Sequence, residues 1–430
     1  MAVANAKQEL IGATWMPKPY FLPVCPADGN THCGPACEGA RQFSWLNVFV
    51  SCSFSASYRC RGAISSTLRR HKLYPIFADK KHLKATLLPT AIYQDICKSA
   101  HAIVDFSNPE SELPPTGVMT ENGVIRCNTR NVLNLVDNQT LLPTDIRCYV
   151  YHRYEDMRVL GSLVAQWVEA EILWPLSLTR TLLFPNNSLP FKLIYHCLSP
   201  TAKPNRHPPL GEWDSSRLTG GGSGADILEK LIHAVADRPE NFRTVCTTKQ
   251  RHPPEDVMPI MAKTRLTGCN ALLLDAPFST TGKLNWYLDA VFAAARKSGI
   301  LTRFDAAFDF LSARERKLYK GEEEKRLVYH KENFCANRQF DYGLVMRIPN
   351  PYDRKAFALI MAGLHSPASH AAARIMADPY EVTRLARKLN VSEGQLPDNL
   401  CFQAIFRVNR TFTPELLGRP KWEVVERIRL

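Results

Sequence analysis

Ser51, Ser53, Asp79 and Asp105 share a position in the sequence: each follows a short apolar run and precedes a helical pattern. Small residues such as Ser51 and Ser53 let a phosphate or a ribose approach backbone N–H groups. An acid such as Asp79 or Asp105 can hydrogen-bond a ribose hydroxyl or a base. The competing reading for both acids is turn formation or helix capping after a strand. A second set lies far along the chain, where the turn Gly363-Leu364-His365-Ser366-Pro367 opens a helix near Ser369. A helix start presents free N–H groups, so His365, Ser369 and His370 form a candidate anion site. The alternative makes Ser369 an N-cap and the histidines surface residues.

Other constellations carry less. No H-E-x-x-H, Walker A, G-x-S-x-G or kinase set occurs. His152 with Cys148 and His330 with Cys335 are sequence neighbours, and neighbours in sequence are rarely catalytic partners. Cys25, His32, Cys33 and Cys37 invite a zinc reading, but the spacing is not C-x-x-C and no second paired knuckle follows. A Pro/Gly-rich arm describes that stretch better, and neither metal nor cofactor is expected.

The elements that must position these residues follow from the pattern. Strands are expected at Leu46–Ser51, Leu73–Ala78, Ala102–Phe106 and Ile146–Tyr151, with helices at Arg61–His71, Thr90–Ser99 and Met157–Ile172. Strands alternating with helices predict a parallel sheet with right-handed crossovers. The expected fold class is therefore α/β: a Rossmann/flavodoxin-like parallel-sheet domain, then a second α/β domain. The predicted boundaries are an irregular arm over 1–44, the first domain over 45–175, a Pro/Gly-rich linker over 176–225 and the second domain over 226–430. The run Gly220-Gly221-Gly222-Ser223-Gly224 lacks the GKS/GKT ending of a phosphate loop and reads as part of the linker. In the second domain, strands are expected at Asn270–Asp275, Tyr342–Arg347, Phe357–Met361 and, last, Cys401–Val408. A helix is expected at Leu284–Lys297 and another from Ser369 to Met376. The charged stretch Ala313–Lys331 reads as an exposed helix or hairpin.

Composition bounds the partners. The 430 residues are 45% hydrophobic and 22% charged, which is the ordinary globular range. A net charge of +13 favours polyanions, so nucleic acid is one candidate partner through a basic surface. The densest basic stretch runs from Arg59 to Lys84. Thirteen cysteines, an odd number scattered along the chain, do not make a small disulfide framework. No signal-peptide pattern opens the sequence, and no stretch reaches the roughly 18 consecutive apolar residues of a membrane span. A cytoplasmic protein without a membrane partner is the expectation, and a homo-oligomer is compatible with it.

The segment from Val48 to about Glu171 resembles the nucleoside 2-deoxyribosyltransferase-like and TIR-like superfamily. The resemblance rests on Val48-Phe49-Val50-Ser51-Cys52-Ser53-Phe54, on the strand ending at Asp79, and on Ala102-Ile103-Val104-Asp105. Leu142 to Arg147, Tyr151 and the following helix look like that family's closing strand and helix. The resemblance implies a nucleotide or nucleoside ligand at the carboxyl ends of the strands. It also implies a glutamate, in an NVxxELG-like motif, acting at the sugar's anomeric carbon. The nearest match is Asn131-Val132-Leu133-Asn134-Leu135-Val136-Asp137, where Leu135 stands in place of glutamate. Leucine can neither attack nor stabilise an oxocarbenium-like centre. Glu110, Glu112 and Glu121 lie nearby in a stretch read as loop. Asp341 to Ala372 resembles a C-terminal module of uncharacterised prokaryotic proteins, some with regulatory or defence-type architectures. Three functions stay open: recognition of a nucleotide or nucleoside derivative, hydrolysis or transfer of an N-glycosidic bond, and nucleic-acid association.

Overall fold

The computed structural model describes residues 43–428 apart from 54–56, 78–87, 129–130, 145–148, 184–188, 196–227, 230, 233–241, 247–256, 276–285, 311–324, 338, 392–398 and 410–419. The chain divides into two units, Met1–Trp174 and Pro175–Leu430. Among the described residues no helix is long and apolar enough to cross a membrane.

The first unit contains β1 (Ser44–Ser51), α1 (Ser57–Arg70), β2 (Tyr74–Phe77), α2 (Leu88–Cys97), β3 (Ser99–Asp105), α3 (Thr116–Asn128), β4 (Asn131–Asp137), β5 (His152–Tyr154) and α4 (Met157–Val168). Its five strands are all parallel, in the order β2-β1-β3-β4-β5. This is the flavodoxin-like doubly wound order. Strands buried on both faces read as apolar runs, and β3 is buried along its whole length. Phe49, Ala102, Val104 and Phe106 face one layer, where Ile96 of α2 and Val118 and Ile125 of α3 cover them. Helices α1 and α4 pack on each other. Asp156 caps α4, its carboxylate accepting from the amides of Arg158 and Val159 at 2.8 and 2.7 Å.

The sequence pattern misplaces one strand. Ile146–Tyr151 is expected as the fourth, but the fourth is β4, and residues 149–151 are not strand. Asn131 and Asn134 break the apolar run of β4, yet each is buried and partnered. Asn134 donates to the Val150 carbonyl at 2.8 Å and accepts from Arg126 at 3.2 Å. Asn131 solves a different problem. After α4 the helix widens into one π turn, Glu169–Leu173, before continuing as α5 (Trp174–Leu183). Pro175 has no N–H to give the Glu171 carbonyl four residues earlier. The Asn131 amide donates to that carbonyl instead, at 3.1 Å, while its own oxygen accepts from the Trp167 indole at 3.0 Å.

The second unit is built on a seven-stranded mixed sheet, ordered β15-β14-β12-β13-β8-β6-β7. Its strands are β6 (Phe191–Tyr195), β7 (Phe242–Cys246), β8 (Asn270–Asp275), β12 (Phe340–Asn350), β13 (Asp353–Gly363), β14 (Phe402–Asn409) and β15 (Lys421–Arg427). Helices α6 (Met258–Leu266) and α7 (Trp286–Lys297) cover one core. Helices α8 (Ser366–Met376) and α9 (Pro379–Lys388) follow β13. A small antiparallel sheet joins β9 (Ala307–Phe310), β10 (Lys325–Tyr329) and β11 (Glu332–Cys335).

Two boundaries move. Residues 176–225 are not all linker: most of α5 and the whole of β6 lie within them, and β6 pairs with both β7 and β8. The second unit therefore starts at Pro175 rather than 226. The apolar pair Leu193-Ile194 is buried in that sheet although Pro-, Ser- and Asn-rich sequence surrounds it. Cys401–Val408 is not the last strand, because β15 pairs beyond it. The glycine run 220–224 lies outside the described residues.

One row of this sheet combines two glycines with two aromatics. Gly363, Gly343, Phe406 and Trp422 are successive register partners across four strands. The Phe406 ring occupies the space that a Cβ on Gly343 would need, and the backbone of Ala368 and Ser369 occupies that of Gly363. Phe406 and Trp422 meet edge to face at 5.9 Å.

Asn131→Ala removes the hydrogen bonds that Asn131 makes to the Glu171 carbonyl and the Trp167 indole. We expect a loss of about 2–4 kcal/mol, read by urea denaturation. A loss below about 0.5 kcal/mol would show that the π turn stands without Asn131.

Candidate functional site

In a doubly wound sheet the ligand crevice lies at the carboxyl ends of the strands, where the chain's crossovers part to opposite sides. Here that point falls between β1 and β3. The residues leaving those strands are Ser51-Cys52-Ser53 and Asp105-Phe106-Ser107.

Alternation along a strand decides which layer each side chain enters. Ser51 shares the face of Phe49, the side of α2 and α3. Its hydroxyl donates to Glu121 Oε2 at 2.5 Å. Glu121 sits on α3, half-buried, and burial raises its carboxyl above the ordinary glutamate range while the Ser51 hydrogen bond opposes that rise. Asp105 lies on the other face, two residues from Ile103. It accepts from the Ser107 amide at 3.1 Å and the Ser107 hydroxyl at 2.6 Å, both on Oδ1. Tyr154, at the end of β5, is 3.0 Å from Asp105 Oδ2. Cys60 of α1 is 3.4 Å from the Tyr154 hydroxyl. Asp105, Ser107 and Tyr154 are each at most 3% exposed. Burial raises the Asp105 carboxyl, opposed by the hydrogen bonds from Ser107 and Tyr154.

Cys52 lies within electrostatic reach of both carboxylates. Burial first, then Asp105, pushes its thiol up to about 12, with Cys60 and Glu121 adding to the rise and Arg61 opposing it. A thiol in that state is not a nucleophile near neutral pH. Arg61 packs its guanidinium over the Phe77 ring at 4.2 Å.

Ser51, Ser53 and Asp105 thus all lie, buried, at the carboxyl ends of the adjacent strands β1 and β3, with Ser51 and Asp105 on opposite faces of the sheet. Asp79 and the quartet Cys25, His32, Cys33 and Cys37 lie outside the described residues. Among the described residues no group of three or more His, Cys, Asp or Glu side chains is arranged to hold a metal ion. Asp105 does form the turn its sequence position suggested, since its side chain closes onto the amide two residues on. Glu121 is on a helix rather than in a loop, while Glu110 and Glu112 are exposed. Leu135 is fully buried in β4, paired with Asp105 and His152. The segment aligned with the glutamate motif is a core strand.

His365 and Ser369 belong to the second unit. The helix begins at Ser366, so His365 holds the N-cap position and Ser369 lies inside the first turn. Ser369 is not the cap: its hydroxyl accepts from the Gly363 amide at 3.0 Å. His365 is buried rather than on the surface, with Nδ1 3.1 Å from Asp341 Oδ1. The other oxygen of Asp341 accepts from the Ala368 amide at 3.1 Å, so a strand residue caps this helix. Burial and nearby Arg374 hold His370 well below the ordinary histidine range. His330 and Cys335 are not a pair either: His330 is at the turn between β10 and β11, while Cys335 is opposite Arg326.

No protein-family model and no curated protein matches the chain.

Two measurements check this assignment. The raised Glu121 carboxyl keeps its proton to higher pH in the folded protein than in the unfolded one, so stability falls as pH rises through that window. Glu121→Gln keeps an acceptor for Ser51 and removes the charge. Its stability should match the parent's below the ordinary carboxyl range and exceed it above the raised value, read by urea titration at stepped pH. In the second unit, Gly363→Ala drives a methyl group into the first turn of α8, and overpacking of that kind costs about 1–3 kcal/mol. An unchanged melting temperature would sink the close-contact assignment.

Proposed function

We propose that the first unit binds a nucleoside or nucleotide derivative at the β1/β3 crevice and cleaves or transfers its N-glycosidic bond. The observation that carries this reading is Glu121: a half-buried carboxylate at the crevice, with one oxygen fixed by Ser51. The resemblance to the deoxyribosyltransferase-like superfamily implies a glutamate at the anomeric carbon. Leu135 cannot serve, and α3 supplies a carboxylate from elsewhere in the chain.

The chemistry is short. The Glu121 carboxylate acts on the anomeric carbon, as nucleophile or as stabiliser of its developing positive charge. The carbon–nitrogen bond breaks, its electron pair leaves with the base, and the base takes up a proton. Water then completes hydrolysis, or a second base completes transfer. Ser51 keeps the carboxylate in one orientation, which lowers the ordering needed at the moment of reaction. Asp105 orients a ribose hydroxyl, its carboxylate held by two donors on Oδ1 and one on Oδ2. Cys52, held as the thiol, plays no nucleophilic part.

Incubation with a panel of NAD, deoxynucleosides and cyclic nucleotides tests the proposal, with base release followed by chromatography and binding by thermal shift. Glu121→Gln should cut base release by about 10²–10³-fold or more with binding retained, and Asp105→Asn should weaken binding. The rate should rise with pH through the raised Glu121 value, because only the carboxylate form reacts. A thermal shift without turnover would leave a recognition site and remove the cleavage step. Neither signal would remove the nucleoside reading altogether.

A further inference from the structure

We infer that Tyr154 is the positioning residue of this site: it reaches from the edge strand β5 across the end of β4 and fixes the Asp105 carboxylate as an oriented acceptor. The inference rests on the reading that Asp105 serves a nucleoside site.

The hydrogen bonds assign the protons of Ser107 and Tyr154. Asp105 Oδ1 takes two donors from Ser107, its amide at 3.1 Å and its hydroxyl at 2.6 Å. The Ser107 proton is thereby committed. Its oxygen accepts from the Asp137 amide at 2.7 Å. The Tyr154 hydroxyl is 2.9 Å from Ser107 Oγ and 3.0 Å from Asp105 Oδ2. Tyrosine has one proton to give, and a carboxylate attracts it more strongly than a hydroxyl oxygen. The Tyr154 proton therefore points at Oδ2. Cys60 Sγ lies 3.4 Å from the Tyr154 oxygen, a contact in which either atom can donate, and the thiol also hydrogen-bonds the Asp105 side chain. Two arms result, Tyr154 donating to Oδ2 and the Asp137 amide acting through Ser107 on Oδ1.

Position explains why β5 supplies the tyrosine. Tyr154 and Asp137 are register partners, so the phenol extends over the end of β4 toward the end of β3. A phenylalanine would fill the same apolar volume beside α1. The hydroxyl is what a buried site must satisfy with partners, and here its partners are the groups that set Asp105. Burial and the nearby Asp105 raise the Tyr154 phenol, so it remains a donor at every working pH. The other ionisable groups around the cluster are Asp137 on β4, Cys60 and Arg61 on α1, Cys52 after β1 and Glu121 on α3.

The test is the titration of Asp105 itself, followed by carbon NMR of aspartate-labelled full-length protein and assigned by Asp105→Asn. In Tyr154→Phe the carboxylate loses a donor, and its pKa should move up by about one unit. Installing 3-fluorotyrosine at position 154 makes a stronger donor in an almost unchanged volume, and the pKa should move down. In the base-release assay, KM for a ribonucleoside should rise about tenfold in Tyr154→Phe, while kcat changes less. An Asp105 titration unmoved by both replacements would overturn the inference. Shifts of opposite sign in a protein that releases no base would uphold the positioning role and remove only the glycosidic reading.

Discussion

Strands β1 and β3 lie side by side and run the same way, yet the chain leaves them toward opposite layers. Their ends consequently cannot be roofed by one crossover, and polar groups that leave a buried sheet there must find partners close by. The rest of the first unit is arranged around that need. Ser51 turns to α3, Asp105 turns to α1 and β5, and Ser107 ties β3 to the first amide beyond the buried part of β4.

The two acids solve the need differently. Asp105 is nearly saturated with donors from its own fold. Glu121 has one oxygen engaged and is only half-buried. Burial without full compensation is costly for a carboxylate, and such cost is common where a group must stay reactive. One acid is held on both oxygens by its own fold, and the other is held on one. The thiol between them is silenced by the same burial and the same negative neighbours.

The α/β class and the positions of β1, β2 and β3 were legible because apolar runs and small or acidic strand ends are local signals. Strand β4 was not, because its two asparagines look like loop residues until Trp167, Glu171, Val150 and Arg126 are seen around them. Glu121 was named beside Glu110 and Glu112, but in a stretch read as loop, so its meeting with Ser51 was not foreseen. Glu121 is 70 residues from Ser51, and helical spacing alone does not say which strand end a helix face will meet. A cue was present: Thr116 to Asn128 contains Val118 and Ile125 at helical spacing, which a loop does not need. Ser369 misled for the opposite reason. A serine near a helix start is usually a cap, but here Asp341 on a neighbouring strand had taken that task, and only the tertiary fold reveals it.

The row Gly363, Gly343, Phe406 and Trp422 carries an evolutionary consequence. Neither glycine is there for a turn; each is empty because something else fills its place, a ring in one case and a helix start in the other. The four positions therefore drift as a group. A side chain at Gly343 becomes admissible only after Phe406 has shrunk, and a smaller Phe406 leaves Trp422 without its edge-to-face partner. Among related chains the identities at these positions should covary, with intermediates that carry one change alone being rare.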